Sequence, residues 1–110
     1  MISCTVRYEI DPDQLGAFEV YAKAWLHLVA KLGGEHHGYH LPHEGPNDIA
    51  YCHFSFPSLA DYEAYREKMW ADPECLRAYA HAQATKCIRR YDRSFTKPLF
   101  VGASVDELGL

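Results

Sequence analysis

The chain lacks most of the signatures that announce chemistry. Its four cysteines, Cys4, Cys52, Cys75 and Cys87, form no CxxC pair and no regular framework, which excludes a thioredoxin-type motif, a zinc ribbon and a disulfide scaffold. No apolar run approaches the roughly 20 residues that span a bilayer, so no membrane association is expected. The opening MISCTVRYEI has neither the basic start nor the apolar centre of a signal peptide. There is no basic surplus either. Eleven Lys and Arg face 15 Asp and Glu, a net charge of -4, which argues against a nucleic-acid partner because phosphate binding needs cations to displace counterions. The local run KCIRRYDR is interrupted by Asp92 and reads as a strand with charged faces. LGG and VGAS miss the spacing of phosphate or dinucleotide loops, and no nucleophile elbow occurs. A reducing cytoplasm, with thiols acting as small hydrophobes, is the expected setting.

What is present is a folded chain of one-domain size. Hydrophobic residues make up 48% of the 110 residues and eight are Tyr, a composition that excludes disorder and supplies a core. Residues 2–10 alternate, with Ile2, Cys4, Val6, Tyr8 and Ile10 opposed to Ser3, Thr5, Arg7 and Glu9; a period of two predicts a strand with unlike faces. Asp11 then supplies a cap and Pro12 a first helical residue, followed by Leu15, Phe18, Ala22, Trp25, Val29 and Leu32 at steps of three and four. That helix is expected to stop at Gly33–Gly34.

Residues 35–41 and 48–56 predict two strands joined by the turn-rich PHEGPND. Ala50, Cys52, Phe54 and Phe56 form the greasier side of the second, and Ile49, Tyr51, His53 and Ser55 the mixed side. Ser58 and Asp61 open a helix bearing Leu59, Tyr62, Tyr65 and Met69. Asp72 and Pro73 restart it with a stripe of Leu76, Tyr79, Ala80, Gln83 and Cys87. IRRYDRSFTK closes the domain as a strand. The expected organisation is one domain over residues 1–98 and a tail over 99–110.

The order β-α-β-β-α-β predicts an α+β, ferredoxin-like fold: a four-stranded antiparallel sheet with helices on one face. The uncovered face, carrying Ile49 and Tyr51, is expected to meet a second copy by twofold symmetry.

TVRYEIDPDQLGAFEVYAKAW, then GGEHHGYHLPHEGPNDIAYCHFSFPSLADYEAYREKMWADPE, then IRRYDRSF closely resemble the NIPSNAP family of small bacterial proteins, over about residues 4–97. The resemblance implies a dimeric α/β barrel, in which two ferredoxin-like subunits press their sheets together around a cavity, and hence a homodimer. Relatives in that superfamily include cofactor-independent monooxygenases acting on quinol-like aromatics, haem-degrading monooxygenases and stress-response proteins. A chemical role therefore has to be argued from residues.

Five of the seven histidines lie in residues 35–54, which raises the question of a metal. His36 and His37 are adjacent and point to opposite faces of a strand, while four residues separate His36 from His40 by roughly 13 Å. A zinc site needs ligands converging on one point, so no metal site and no cofactor are expected. The sharper expectation concerns the uncovered face. Tyr51 and His53 should point into the space between sheets, joined by Arg7 if the apolar side of the first strand lies beneath the helices. From the second strand either His37 and Tyr39, or His36 and His40, would join them, depending on register. Arg93 is a further candidate, although Tyr91 and Phe95 beside it fit a core equally well.

His53, Tyr51 and Arg7 are thus the catalytic candidates, and His37, Tyr39, Tyr51, His53 and Arg93 the ligand-binding ones. A histidine there could serve as a base near neutral pH, with tyrosine or arginine stabilising an anion. The expected function is binding of a small aromatic or quinol-like ligand in a cavity at the dimer sheet interface, with cofactor-independent monooxygenase-like activity. The alternative is an interaction or assembly module with a packed interface.

Overall fold

A computed structural model describes residues 1–100, 102 and 104–110. β1 spans Ile2–Ile10, α1 Leu15–Lys31, β2 Glu35–His40, β3 Ile49–Phe56, α2 Leu59–Ala71, α3 Pro73–Thr85 and β4 Ile88–Thr96. The strands form one sheet in the order β2-β3-β1-β4, with every pairing antiparallel. This is the expected α+β, ferredoxin-like arrangement. A 3₁₀ helix over Val105–Leu108 lies in the tail, where Leu99, Phe100, Leu108 and Leu110 are exposed.

Alternation on β1 decides which face is covered. Cys4, Val6, Tyr8 and Ile10 are buried, and Ala50, Cys52, Phe54 and Phe56 of β3 join them beneath the helices. Phe18, Tyr21, Ala22, Trp25, Leu28 and Val29 of α1 pack onto this surface, as do Tyr62, Tyr65 and Met69 of α2. Removing that apolar surface from water is the main stabilising term.

Two expectations shift in detail. Asp11 does cap, its Oδ1 accepting from the Asp13 N–H at 3.0 Å, but it caps a 3₁₀ turn over Pro12–Gln14 that leads into α1. The buried side of α3 is Cys75 and Ala78, with Tyr79 and Ala82 packed against the core, whereas Leu76 is exposed. Small residues let α3 lie close against α1, and this outweighs burial of the larger leucine.

The junction of α2 and α3 is a single residue. Asp72 Oδ1 accepts from the Glu74 and Cys75 N–H groups at 2.9 and 3.1 Å, while its Oδ2 meets Lys31 Nζ of α1 at 2.7 Å. Lys31 first, and then the Cys75 amide, hold the Asp72 carboxyl below the usual carboxylate range. One residue thus ends one helix with its backbone N–H, starts the next with its side chain and ties the junction to α1.

Gly33 takes φ +102° where α1 stops. Gly34 is required for a different reason: a Cβ there would lie 2.6 Å from Phe56 Cζ and 2.8 Å from Val29 Cγ1. Both neighbours are buried, and Phe56 is wedged against Tyr62 and Tyr65. Gly34→Ala is expected to lower stability by about 1–3 kcal/mol through overpacking, measured by urea unfolding; an unchanged midpoint would show that this contact has room to give.

Candidate functional site

The location of the site turns on a bulge in β2. Glu35 pairs with Ser55 and His36 with Phe54, but the next pair is Gly38 with His53, leaving His37 as an extra residue. Gly38 adopts φ +110°, a conformation that costs glycine little. The alternation therefore skips a beat. His36 and Tyr39, three residues apart, both face the helices, opposite Phe54 and Cys52. His37 and His40 both face away from them: His37 Nε2 lies 2.7 Å from Ser55 Oγ, and the His40 ring lies 5.9 Å from His53.

Neither expected pairing of β2 residues is correct, because the bulge divides each between the two faces. Tyr39, expected on the uncovered face, lies on the covered one, stacked on His36 at 5.0 Å and on Tyr8 at 6.1 Å. Arg93 likewise pairs with Val6 and belongs to the helix side of β4. The signal for this correction was the lone Gly38 inside a strand pattern, which marks a bulge.

The uncovered face does gather Arg7, His37, Tyr51 and His53. Its polar groups bind one another. Thr5 Oγ1 and His53 Nδ1 are 3.0 Å apart, and Arg7 donates to Glu9 at 3.4 Å and lies 3.9 Å from Asp92. Hydrogen bonds with Tyr51 and Glu9 raise the Arg7 guanidinium above its usual range. Arg90 completes the mesh, 3.0 Å from Asp92 and 3.8 Å from Glu9. Only Ile49 and Tyr51 give this face appreciable apolar surface, so its character is polar, with its charges paired.

The opposite side holds a small, partly open cavity of about 30 Å³ between sheet and helices. Its walls are largely aromatic, including Tyr8, Trp25, Tyr39, Phe54 and Tyr65, and Arg66 and Arg93 reach it from α2 and β4. Two buried polar atoms among these residues have no partner: Trp25 Nε1 and His36 Nε2. Buried donors without partners are rare in folded proteins.

The state of His36 follows from its other nitrogen. The Gly38 N–H donates to His36 Nδ1 at 2.9 Å, so in the neutral ring the proton sits on Nε2. Burial, reinforced by His37 and His53, lowers the His36 pKa to about 4, which keeps the ring neutral near pH 7. His36 is thus a buried hydrogen-bond donor at the cavity wall and not a base.

Tyr8 and Tyr39 have hydroxyls pushed well above their usual range, chiefly by burial, and stay protonated. Burial likewise lifts the Cys4 thiol to about 12 and, with Asp72 beside it, the Cys75 thiol to about 11. All four cysteines are free and buried, and neither of these two thiols is activated as a nucleophile. Among the described residues no group of three or more His, Cys, Asp or Glu is arranged to hold a metal.

Trp25 and Arg66 were not predicted as site residues, and His36 was expected only as one alternative, with His40, on the uncovered face. Trp25 sits in the apolar stripe of α1, where nothing in the spacing distinguishes a core tryptophan from a donor awaiting a ligand. Arg66 did leave a trace, since it falls one helical turn from both Tyr62 and Met69, on the buried side of α2.

With the architecture and cavity defined, comparison gives the class and then the family. A NIPSNAP protein of unknown function from Agrobacterium tumefaciens has the same fold, with a TM-score of 0.77 at 21% identity over 89% of this chain and 87% of that one. An uncharacterised NIPSNAP domain protein from Burkholderia xenovorans gives 0.75 at 14% identity, covering 94% of this chain and 100% of that one. A candidate antibiotic biosynthesis monooxygenase from Nitrosomonas europaea gives 0.70 at 11% identity, covering 91% and 100%. No curated protein matches. The family model for NIPSNAP matches residues 5–101, and the chain belongs to that family.

The neutral state of His36 has a measurable consequence. Its pKa is about 4 when folded against an ordinary 6.5, so as pH falls through this interval the unfolded chain takes up a proton that the folded chain refuses, and stability drops. Above 6.5 the residue contributes no pH dependence. His36→Asn, which retains an acceptor for the Gly38 N–H, is expected to flatten the fall in thermal midpoint between pH 6.5 and 4. An undiminished slope in the variant would assign that fall to other groups.

Proposed function

We propose that this NIPSNAP protein binds a small aromatic molecule within each subunit, in the cavity between sheet and helices, and oxidises it with O₂ without a bound cofactor. The observation that carries the reading is the pair of unpartnered donors, Trp25 Nε1 and His36 Nε2, in an aromatic-walled cavity. Few polar groups set among aromatic walls are the usual makeup of a ligand site. The fold shared with the Nitrosomonas europaea protein supports the choice of reaction class.

The chemistry asked of the protein is modest. A phenol or quinol ionises, N–H donors hold the resulting oxyanion, and the electron-rich ring passes electrons to O₂. For a simple phenol, O₂ accepts four electrons; one oxygen atom becomes the new quinone carbonyl and the other leaves as water. His36 and Trp25 stabilise charge in this scheme, and solvent takes the proton.

Oxygen uptake with a panel of phenols and quinols tests it. Trp25→Phe is expected to reduce turnover about tenfold or more, and His53→Ala, on the other face of the sheet, to leave it within about twofold. The opposite pattern would move the chemistry to the uncovered face with Tyr51, His53 and Arg7.

The chain is further proposed to work as a homodimer in a reducing cytoplasm, joining uncovered sheet faces; the paired charges of Arg7, Arg90, Glu9 and Asp92 support a specific polar contact there. Sedimentation at micromolar concentration should give twice the chain mass, and a monomer would contradict this assembly. The second reading, an interaction module without chemistry, draws on the small resting volume of the cavity, and becomes the better one if no aromatic compound binds.

A further inference from the structure

The charge of the cavity narrows the ligand further, on the basis that the cavity is the binding site. Two guanidiniums, Arg66 and Arg93, reach it, and no Asp or Glu lines it. The chain as a whole is acidic, at -4. Of its other cations, Arg7, Lys31, Arg89 and Arg90 each lie within 4.0 Å of a carboxylate. Among the described residues Arg66 and Arg93 make no such pair, and lie instead over aromatic rings. Arg66 Cζ sits 5.8 Å from the Trp70 ring and Arg93 Cζ 5.4 Å from the Tyr91 ring.

The two buried atoms left without a partner among the cavity's residues are both donors, and its two charged side chains are both cations. Trp25 Nε1 can only donate, and the Gly38 contact makes His36 Nε2 a donor too. A ligand that offered donors would leave all of these unpaired, a costly outcome in a buried site. We infer that the cavity selects an aromatic oxyanion, a planar ring carrying a carboxylate or phenolate oxygen, received by Trp25 Nε1 and His36 Nε2 with Arg66 and Arg93 balancing its charge.

Size adds a condition. About 30 Å³ is room for one or two waters and not for a ring. Entry requires the rim to move, and the long side chains there, Arg66 and Arg93, can swing without disturbing the strands. Their resting contacts are cation–π contacts, which are weaker than a charge-assisted bond to an oxyanion. The rim would open to the solute that its arginines prefer to hold.

The chain has two tryptophans, and Trp70 is 56% exposed, so Trp70→Phe leaves Trp25 as a sole emitter inside the cavity. In that background, emission is titrated with benzoate, benzamide and benzylamine, which share a ring and differ in charge. Benzoate is expected to bind at least about tenfold more tightly than benzamide, and benzylamine not to bind. Arg66→Gln and Arg93→Gln should each weaken benzoate about tenfold and leave benzamide within about twofold; each variant's thermal midpoint is checked first.

Equal affinity for benzoate and benzamide would overturn the oxyanion assignment while keeping the cavity as an aromatic site. No response to any of the three would overturn both. Benzoate binding that both arginine variants retain in full would overturn the role given to the guanidiniums.

Discussion

One extra residue in β2 sets which groups this protein can use on either side of its sheet. A regular strand would have placed His36 with Gly38 and His40 on one side, and His37 with Tyr39 on the other. Inserting His37 against a single partner residue instead sends the pair His36 and Tyr39 inward and the pair His37 and His40 outward. Gly38, at φ +110°, makes this affordable. The inward pair meets Tyr8 and Phe54 in the aromatic cluster, and the Gly38 amide fixes the His36 proton on Nε2. Backbone geometry here dictates chemistry directly, by choosing a tautomer.

The two faces of the sheet consequently differ in kind. Outward, the charged groups and His53 have found partners, from Thr5 with His53 to Arg90 with Asp92. Inward, beyond the packed core, donors remain without acceptors. A surface that satisfies itself gains little from a small ligand, since each new contact displaces an existing one. A buried donor without a partner gains a great deal. That contrast, more than the number of histidines, supports the proposal that the cavity is the binding site.

The fold was legible in the sequence because its signals were periodic. The alternation of β1, the three-and-four spacing of α1 and the Asp72–Pro73 restart each depend on a local rule, and each element formed close to its expected limits. The site was legible only in part. Arg7, Tyr51, His53 and His37 do share the uncovered face, because β1 and β3 alternate without interruption and His37 is held by Ser55. Tyr39 and Arg93 were misplaced for different reasons. For Tyr39 the fault was one residue of register. For Arg93 the neighbours Tyr91 and Phe95 fitted a core as well as an open face, so the strand pattern alone left its side undecided. Trp25 left no trace at all, since a missing hydrogen-bond partner is a three-dimensional fact.

β4 raises a matter of colloidal behaviour. It is an outer strand, and after Ile88 every residue of it is exposed, including Tyr91 at 53% and Phe95 at 42%. A long exposed edge with aromatic residues is a template for runaway strand addition. Here Arg89, Arg90, Asp92 and Arg93 interrupt the aromatics, so another β4 laid alongside would bring charges into register and bury them. The same arginines that serve the rim of the cavity and the polar mesh thereby act as gatekeepers against aggregation. Neutralising them together would be felt as lost solubility before it was felt as lost binding.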